Sequence, residues 1–206
     1  MQSSRRQEAP PAHHQVKLWQ ITSQAAVILI AVLLVYLPAF RADFVWDDEQ
    51  LVTSNPLLRS LSGLGEIWSG GRTADYFPVT NTVFWIEHHI FGEKAAGYHA
   101  VNIVLQAADA VLVWLVLRRL SVPGAWLAGL IFGIHPVHTE SVAWISELKN
   151  VLAMFLVLLS IFFFFRTKAK RPPGGSVAYF TSVLFFLLAL LAKTQAVFLP
   201  VVSALG

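Results

Sequence analysis

Residues 21–40 read ITSQAAVILIAVLLVYLPAF, twenty positions without one charged side chain. A bilayer core about 30 Å thick is crossed by roughly 20 apolar helical residues, so this run by itself predicts a membrane-spanning helix. It is longer than the ~7–15 apolar residues of a signal-peptide core, which makes it an uncleaved anchor. Working outward, four more stretches have the length and hydropathy to span: residues 98–117, 124–144, 148–165 and 177–199. The third is the weakest, because it carries Pro136 and a polar C-terminal end. The expected fold class is all-α integral membrane, with about five transmembrane helices and a long first loop.

Composition agrees with that reading. The 206 residues are 56% hydrophobic and 13% charged, with a mean hydropathy of +0.61, whereas a soluble domain has roughly 25% charged residues to solvate its surface. There is no cysteine, so disulfides, thiolate metal sites and thiol nucleophiles are excluded. The net charge of +3 sits in short basic clusters beside apolar segments. That distribution orients a membrane protein and gives no reason to expect nucleic acid.

With five spans the loops alternate sides. Arg5, Arg6 and Lys17 precede the first span, Arg118 and Arg119 follow the second, and Arg166, Lys168, Lys170 and Arg171 follow the fourth. All of these fall on one side, which the positive-inside rule makes cytoplasmic. Residues 1–20 are then a cytoplasmic tail. Residues 41–97 hold Asp43, Asp47, Asp48, Glu49, Glu66, Asp75, Glu87 and Glu93 against Arg41, Arg59, Arg72 and Lys94. That acid-rich loop belongs outside. The chain reaches Gly206 still in an apolar stretch, so further helices are expected beyond it and the domain reads as truncated.

A loop of this length is functional or separately structured. Within it Val79, Val83, Ile86 and Ile90 recur at helical spacing, with Asn81, Glu87 and His88 elsewhere on the wheel. The pattern suits a helix lying in the interface or packed on the outer helix ends. A weaker helical candidate spans residues 57–68, interrupted by Gly63 and Gly65. Just beyond the first span comes FVWDDE, residues 44–49, three consecutive acids among aromatics. Carboxylates crowded at a low-dielectric boundary repel one another, which favours taking up a proton, and that is what a general base must do. Asp47 and Asp48 are the candidate catalytic acids; a solvated loop or a helix cap is the other reading.

Polar residues in and beside the spans supply the remaining candidates. His135, His138 and Glu140 are competent ligands for a divalent ion, but Pro136 interrupts the register that would put them on one face. Hydrogen bonding to substrate or between helices is the preferred reading, and no metal or other cofactor is assigned. Lys149 and Lys193 can each meet a phosphate at headgroup level or simply snorkel. Asp109 lies mid-span, where an acid is costly. It is either functional or hydrogen-bonded to a neighbouring helix, with Asn102 and Gln106 on a similar face. Gly129 and Gly133 form a small-xxx-small pair suited to helix packing.

Four stretches together resemble a known family. They are FVWDDEQLVTSNP (residues 44–56), YFPVTNTVFWIEHHIFGEKAAGYHAVNIVLQAADAVLVWLVLRRL (76–120), GIHPVHTESVAWISELKNVLAMFLVLLS (133–160) and LLAKTQAVFLP (190–200). They are similar to the membrane half of the transmembrane and tetratricopeptide-repeat-containing O-mannosyltransferases and their bacterial relatives, within the GT-C glycosyltransferases. The resemblance implies a GT-C-like domain over residues 21–206, with 41–97 as its outer catalytic loop and the active site on the outer face of a membrane, the inner membrane in a bacterium. It implies transfer of a hexose, mannose included, from a polyprenyl-phosphate sugar to a hydroxyl of a protein Ser/Thr or a glycan. Asp47 and Asp48 would hold the catalytic acids, with Glu49, Tyr76, His135, His138, Glu140, Lys149 and Lys193 at the substrate. Phe77, Asn150 and Thr194 depart from the family pattern, which has arginine at the first and often an acid at the other two. Repeats further along the chain are implied by resemblance alone. The rival functions are a transporter or flippase of a lipid-linked sugar using Asp109, and a non-catalytic membrane anchor.

Overall fold

The computed structural model describes residues 18–70, 75–167 and 175–197. The basic residues Arg5, Arg6, Lys17, Arg72, Lys168, Lys170 and Arg171, most of the N-terminal tail and the segment from Phe198 onward lie outside them. Among the described residues the fold is all α: α1 (Leu18–Tyr36), α2 (Leu61–Ser69), α3 (Pro78–Phe91), α4 (Ala95–Arg119), α5 (Ala125–Ile134), α6 (Thr139–Ala143), α7 (Leu148–Thr167) and α8 (Gly175–Ala192), joined by short 3-10 and π turns. Four segments are long and apolar enough to cross a bilayer, Leu18–Arg41, Ala95–Arg119, Ile145–Thr167 and Gly175–Ala192. This is an integral membrane protein.

The third stretch, read from sequence as one span, is broken. Helix α5 has ten residues, about 15 Å at 1.5 Å per residue, half of what a bilayer needs. It stops because His135 precedes Pro136, and the residue before proline is pushed out of the helical region; His135 sits at φ −67, ψ 133. A 3-10 turn (Pro136–His138), α6 and a second turn (Ile145–Glu147) follow.

Contacts show which way each helix runs. Trp126 Nε1 donates to the Gln24 carbonyl at 3.1 Å, while an added Cβ on Gly133 would stand 2.8 Å from both Val32 and Ala110, and one on Gly129 2.6 Å from Trp114. So α5 runs with α1 and against α4, and the small-residue pair does make the close approach expected of it. Arg119 donates to the Phe165 carbonyl at 3.0 Å, which puts the C-terminal ends of α4 and α7 together. Two helices pointing the same way need a return path between them, and α5, α6 and their turns provide it. Of the five expected spans, four are long enough to cross among the described residues, and the third is instead a ten-residue helix followed by turns.

Breaking a helix inside a bilayer frees carbonyls that must find donors. Gln106 Nε2 donates to the Phe132 and Gly133 carbonyls at 3.4 and 3.3 Å, and Asn102 Nδ2 donates to the Trp144 carbonyl at 3.1 Å. The polar face of α4 is thus what makes the break tolerable. Helices α7 and α8 run antiparallel, with Ser160 and Ser182 each donating to the other's carbonyl at 2.9 and 2.8 Å.

The first loop packs over the end of the bundle where α1, α7 and α8 present their loop-side ends. Trp85 Nε1 donates to the Ser60 carbonyl, Trp68 Nε1 to Thr82, and Thr80 to the Ala192 carbonyl of α8. The predicted helix at 57–68 is split: Pro56–Arg59 is a 3-10 turn, Ser60 caps α2 through Gly63 N–H at 3.1 Å, and Gly63 lies directly on the Leu57 backbone. Helix α3 buries Thr80, Phe84 and Glu87, leaving Ile86 and Ile90 exposed. The aliphatic stripe is therefore divided, with Val79 and Val83 packed against the core and Ile86 and Ile90 facing outward, while an acid faces in.

Candidate functional site

The acidic turn owes its shape to Trp46, whose φ of 48° bends the chain through the left-handed region. One residue later a short helix begins. The Asp48 N–H donates to the Val45 carbonyl at 3.0 Å and the Val45 N–H donates back to Asp48 Oδ2 at 2.9 Å, a reciprocal N-terminal cap. The other carboxylate oxygen, Oδ1, accepts from the Ser146 N–H at 2.8 Å and from the Ser146 hydroxyl. Asp48 is fully buried. Three donors converge on it, so it is an acceptor and a strut that ties the loop to the turn before α7.

Asp47 and Glu49 point the other way, into solvent. Among the described residues neither side chain has a hydrogen-bond or ion-pair partner. The three acids are therefore not crowded together as the sequence suggested. One is locked inside and two are offered outside. Beside them the exposed Trp46 ring meets Trp144 edge-on at 5.7 Å, which joins the acidic turn to the end of α6.

Next to this strut lies a cavity of about 270 Å³. Its walls are the turn after Asp47 (Gln50, Leu51, Ser54), the chain entering α3 (Asp75, Phe77, Asn81), and Ser146 with Lys149. Lys149 pairs with Glu147 at 3.0 Å. Lys193 donates to Asn150 Oδ1, and Asn150 in turn donates to Glu147 Oε2 and to Ser141 Oγ. The two lysines are thus held at the same end of the bundle through one short polar network.

The other predicted residues are scattered. Tyr76 donates its hydroxyl to the Trp68 carbonyl at 3.0 Å and rests against Gly70, so it holds the end of α2. His135 Nδ1 accepts from the Val137 N–H at 3.2 Å as a local turn cap. His138 lies tilted against the Phe132 ring with centroids 4.4 Å apart, and Glu140 is exposed in the first turn of α6. Among the described residues no cluster of three or more His, Asp or Glu side chains is arranged to hold a metal. Asp109, for which a bond to a neighbouring helix was one of two expectations, has none on either oxygen among the described residues; it is fully buried beside a second cavity of about 200 Å³ shared with Gln106, His138, Ser141 and Asn150.

Three participants were missed. Ser146 and Asn150 sit inside the most specific matched stretch, but only tertiary contacts reveal what they hold. Glu87 is 3% exposed with no partner on either oxygen among the described residues, and burial pushes its carboxyl up to about 9. It is a neutral acid at pH 7.

Known proteins resemble the chain in sequence. Protein O-mannosyl-transferase TMTC4 of Homo sapiens is 30% identical over 189 residues, which cover 77% of this chain and 26% of the relative. TMTC2 of Mus musculus is 32% identical over 151 residues, 68% of this chain and 18% of the relative. The chain resembles the protein O-mannosyl-transferases. TMTC1 of Homo sapiens, 28% identical, is matched over 84% of this chain and 21% of its own length. The chain thus spans about a quarter or less of the protein O-mannosyl-transferases it matches. No protein-family model and no solved structure matches it.

Proposed function

We propose that the chain is the membrane part of a glycosyltransferase that moves a hexose, mannose being the one in its relatives' names, from a polyprenyl-phosphate sugar to a hydroxyl of a protein Ser/Thr. The observation that carries the reading is the divided acid pair: Asp48 buried and fixed on Ser146, Asp47 exposed beside it. A general base needs an accessible carboxylate held by a rigid neighbour. Asp47 takes the proton of the acceptor hydroxyl, whose oxygen bonds to the anomeric carbon while the bond from that carbon to the phosphate oxygen breaks. The polyprenyl phosphate leaves with the added charge, which Lys149 and Lys193 are placed to offset. Asp48 is a positioning residue. A lipid-linked donor suits a site at the end of a helix bundle, because the lipid need not leave the membrane.

The basic clusters support a cytoplasmic N-terminus and a site on the outer face. Residues 41–97 act as the catalytic loop of a domain reaching from residue 21. The exposed Ile86 and Ile90 of α3 then dip into the interface beside the donor.

The test is transfer of labelled mannose from a polyprenyl-phosphate donor in membranes. Asp47→Asn should lower the rate by about 10²–10⁴, the usual contribution of a general base; an unchanged rate would remove Asp47 from the chemistry. Asp109 favours a second reading, translocation of a lipid-linked sugar, since among the described residues it is an acid without a partner, beside a cavity at membrane depth. Asp109→Asn decides between them: under transfer it retains activity, under translocation it abolishes movement of the lipid-linked sugar while Asp47→Asn has no effect.

A further inference from the structure

A cavity of about 270 Å³ lies between the acidic turn, α3 and α7. Its lining divides into groups that are already engaged and groups that are not. Asn55 is spent on local chain, donating to the Leu51 carbonyl and accepting from the Leu57 N–H. Thr80 donates to Ala192, and Ser146 holds Asp48. The side chains of Gln50, Ser54, Asp75 and Asn81 make no hydrogen bond among the described residues, yet all four line the cavity. They come from two separate segments facing one another. Phe77 forms an apolar wall and Lys149, paired with Glu147 at 3.0 Å, a cationic one.

We propose that this cavity seats the sugar phosphate head of the donor, with Asp75, Asn81, Gln50 and Ser54 reading the ring hydroxyls, Phe77 under the apolar face of the ring and Lys149 at the phosphate. The proposal rests on the transferase reading. Size limits the occupant, since pockets for drug-sized ligands run from about 300 Å³ upward and this one falls below that range. Chemistry limits it further. Two amides and a hydroxyl each donate and accept, and a carboxylate accepts twice, which matches a ring carrying several adjacent hydroxyls. A lysine ammonium is a suitable point-charge partner for one phosphate. The cavity shares Ser146 with the strut that carries Asp48, and its wall residues Gln50 and Leu51 follow Asp47 closely along the chain.

Mannose 1-phosphate, mannose and inorganic phosphate are the probes, titrated by saturation-transfer NMR against the full chain in detergent. Mannose 1-phosphate should bind saturably and more tightly than mannose. Asn81→Ala and Asp75→Asn should each weaken it about tenfold, and Lys149→Ala should weaken the sugar phosphate while leaving mannose unchanged. Asn81→Ser and Gln50→Ala, with an unchanged melting temperature as the control, guard against a folding defect. Binding that ignores all the cavity substitutions, or no binding by the unaltered protein, would overturn the proposal. The two readings fail separately. Asp47→Asn should keep head-group binding and lose transfer; transfer that depends on Asp47 but not on Asp75, Asn81 or Lys149 would sink the seat and leave the transferase standing.

Discussion

Two neighbouring aspartates with one kind of side chain have different surroundings, Asp48 buried on Ser146 and Asp47 exposed. Replacing Ser146 with Ala removes a hydroxyl donor from a buried carboxylate, which should cost about 1.5–3 kcal/mol. Asp48→Asn turns an N–H2 toward at least one of the donors now served by Asp48, so it should lower the melting temperature in detergent more than Asp47→Asn, which faces water; equal losses would contradict the division. The acidic cluster was legible in the sequence, but its division was not, because Ser146 lies 98 residues further along the chain. Glu87 makes a second residue-level prediction. Its folded carboxyl holds a proton up to about 9 whereas the unfolded chain releases it near 4.5, so stability should fall as pH rises between those values and be recovered on acidification. Glu87→Gln cannot ionise and should melt at a nearly constant temperature over the same window, a difference that thermal unfolding from pH 5 to 8.5 would read.

At the level of elements, apolar runs and proline position showed where helices begin and end more reliably than which face they bury. The four long segments follow from length and hydropathy alone. The third stretch had its breaking point in plain view at His135–Pro136, yet a count of apolar residues reads through it, because hydropathy is blind to a backbone bend. Helix α3 is the opposite case: its periodicity was correct, but Glu87 lies on the buried side and Ile86 and Ile90 on the exposed one. An outward apolar stripe is stable only where the surroundings are apolar too. Helix α5 depends on having no side chain at two of its positions. Gly133→Val places carbon against Val32 and Ala110, already 2.8 Å from the position of a bare Cβ. Overpacking of that kind costs about 1–3 kcal/mol, and the variant should melt lower than Gly65→Ala, where an added Cβ meets nothing within 4 Å.

For the molecule as a whole, the helix directions put Asp47 and Arg119 at opposite ends of the bundle, which the proposed topology converts into opposite sides of a membrane. The native chain has no cysteine, so a single cysteine can be read without background. Asp47→Cys in spheroplasts should react with an impermeant maleimide, and Arg119→Cys only after permeabilisation; the reverse pattern would turn the protein over and leave the proposed site without an outer-face donor. The broken third crossing has its own consequence for the lipid around it. A ten-residue helix followed by polar turns offers too little apolar length to match a full bilayer, and a bilayer answers such a mismatch by thinning locally. Under the proposed function, headgroups drawn down beside the turns at His135 and Pro136 would shorten the distance a membrane-borne phosphate must rise to reach Lys149.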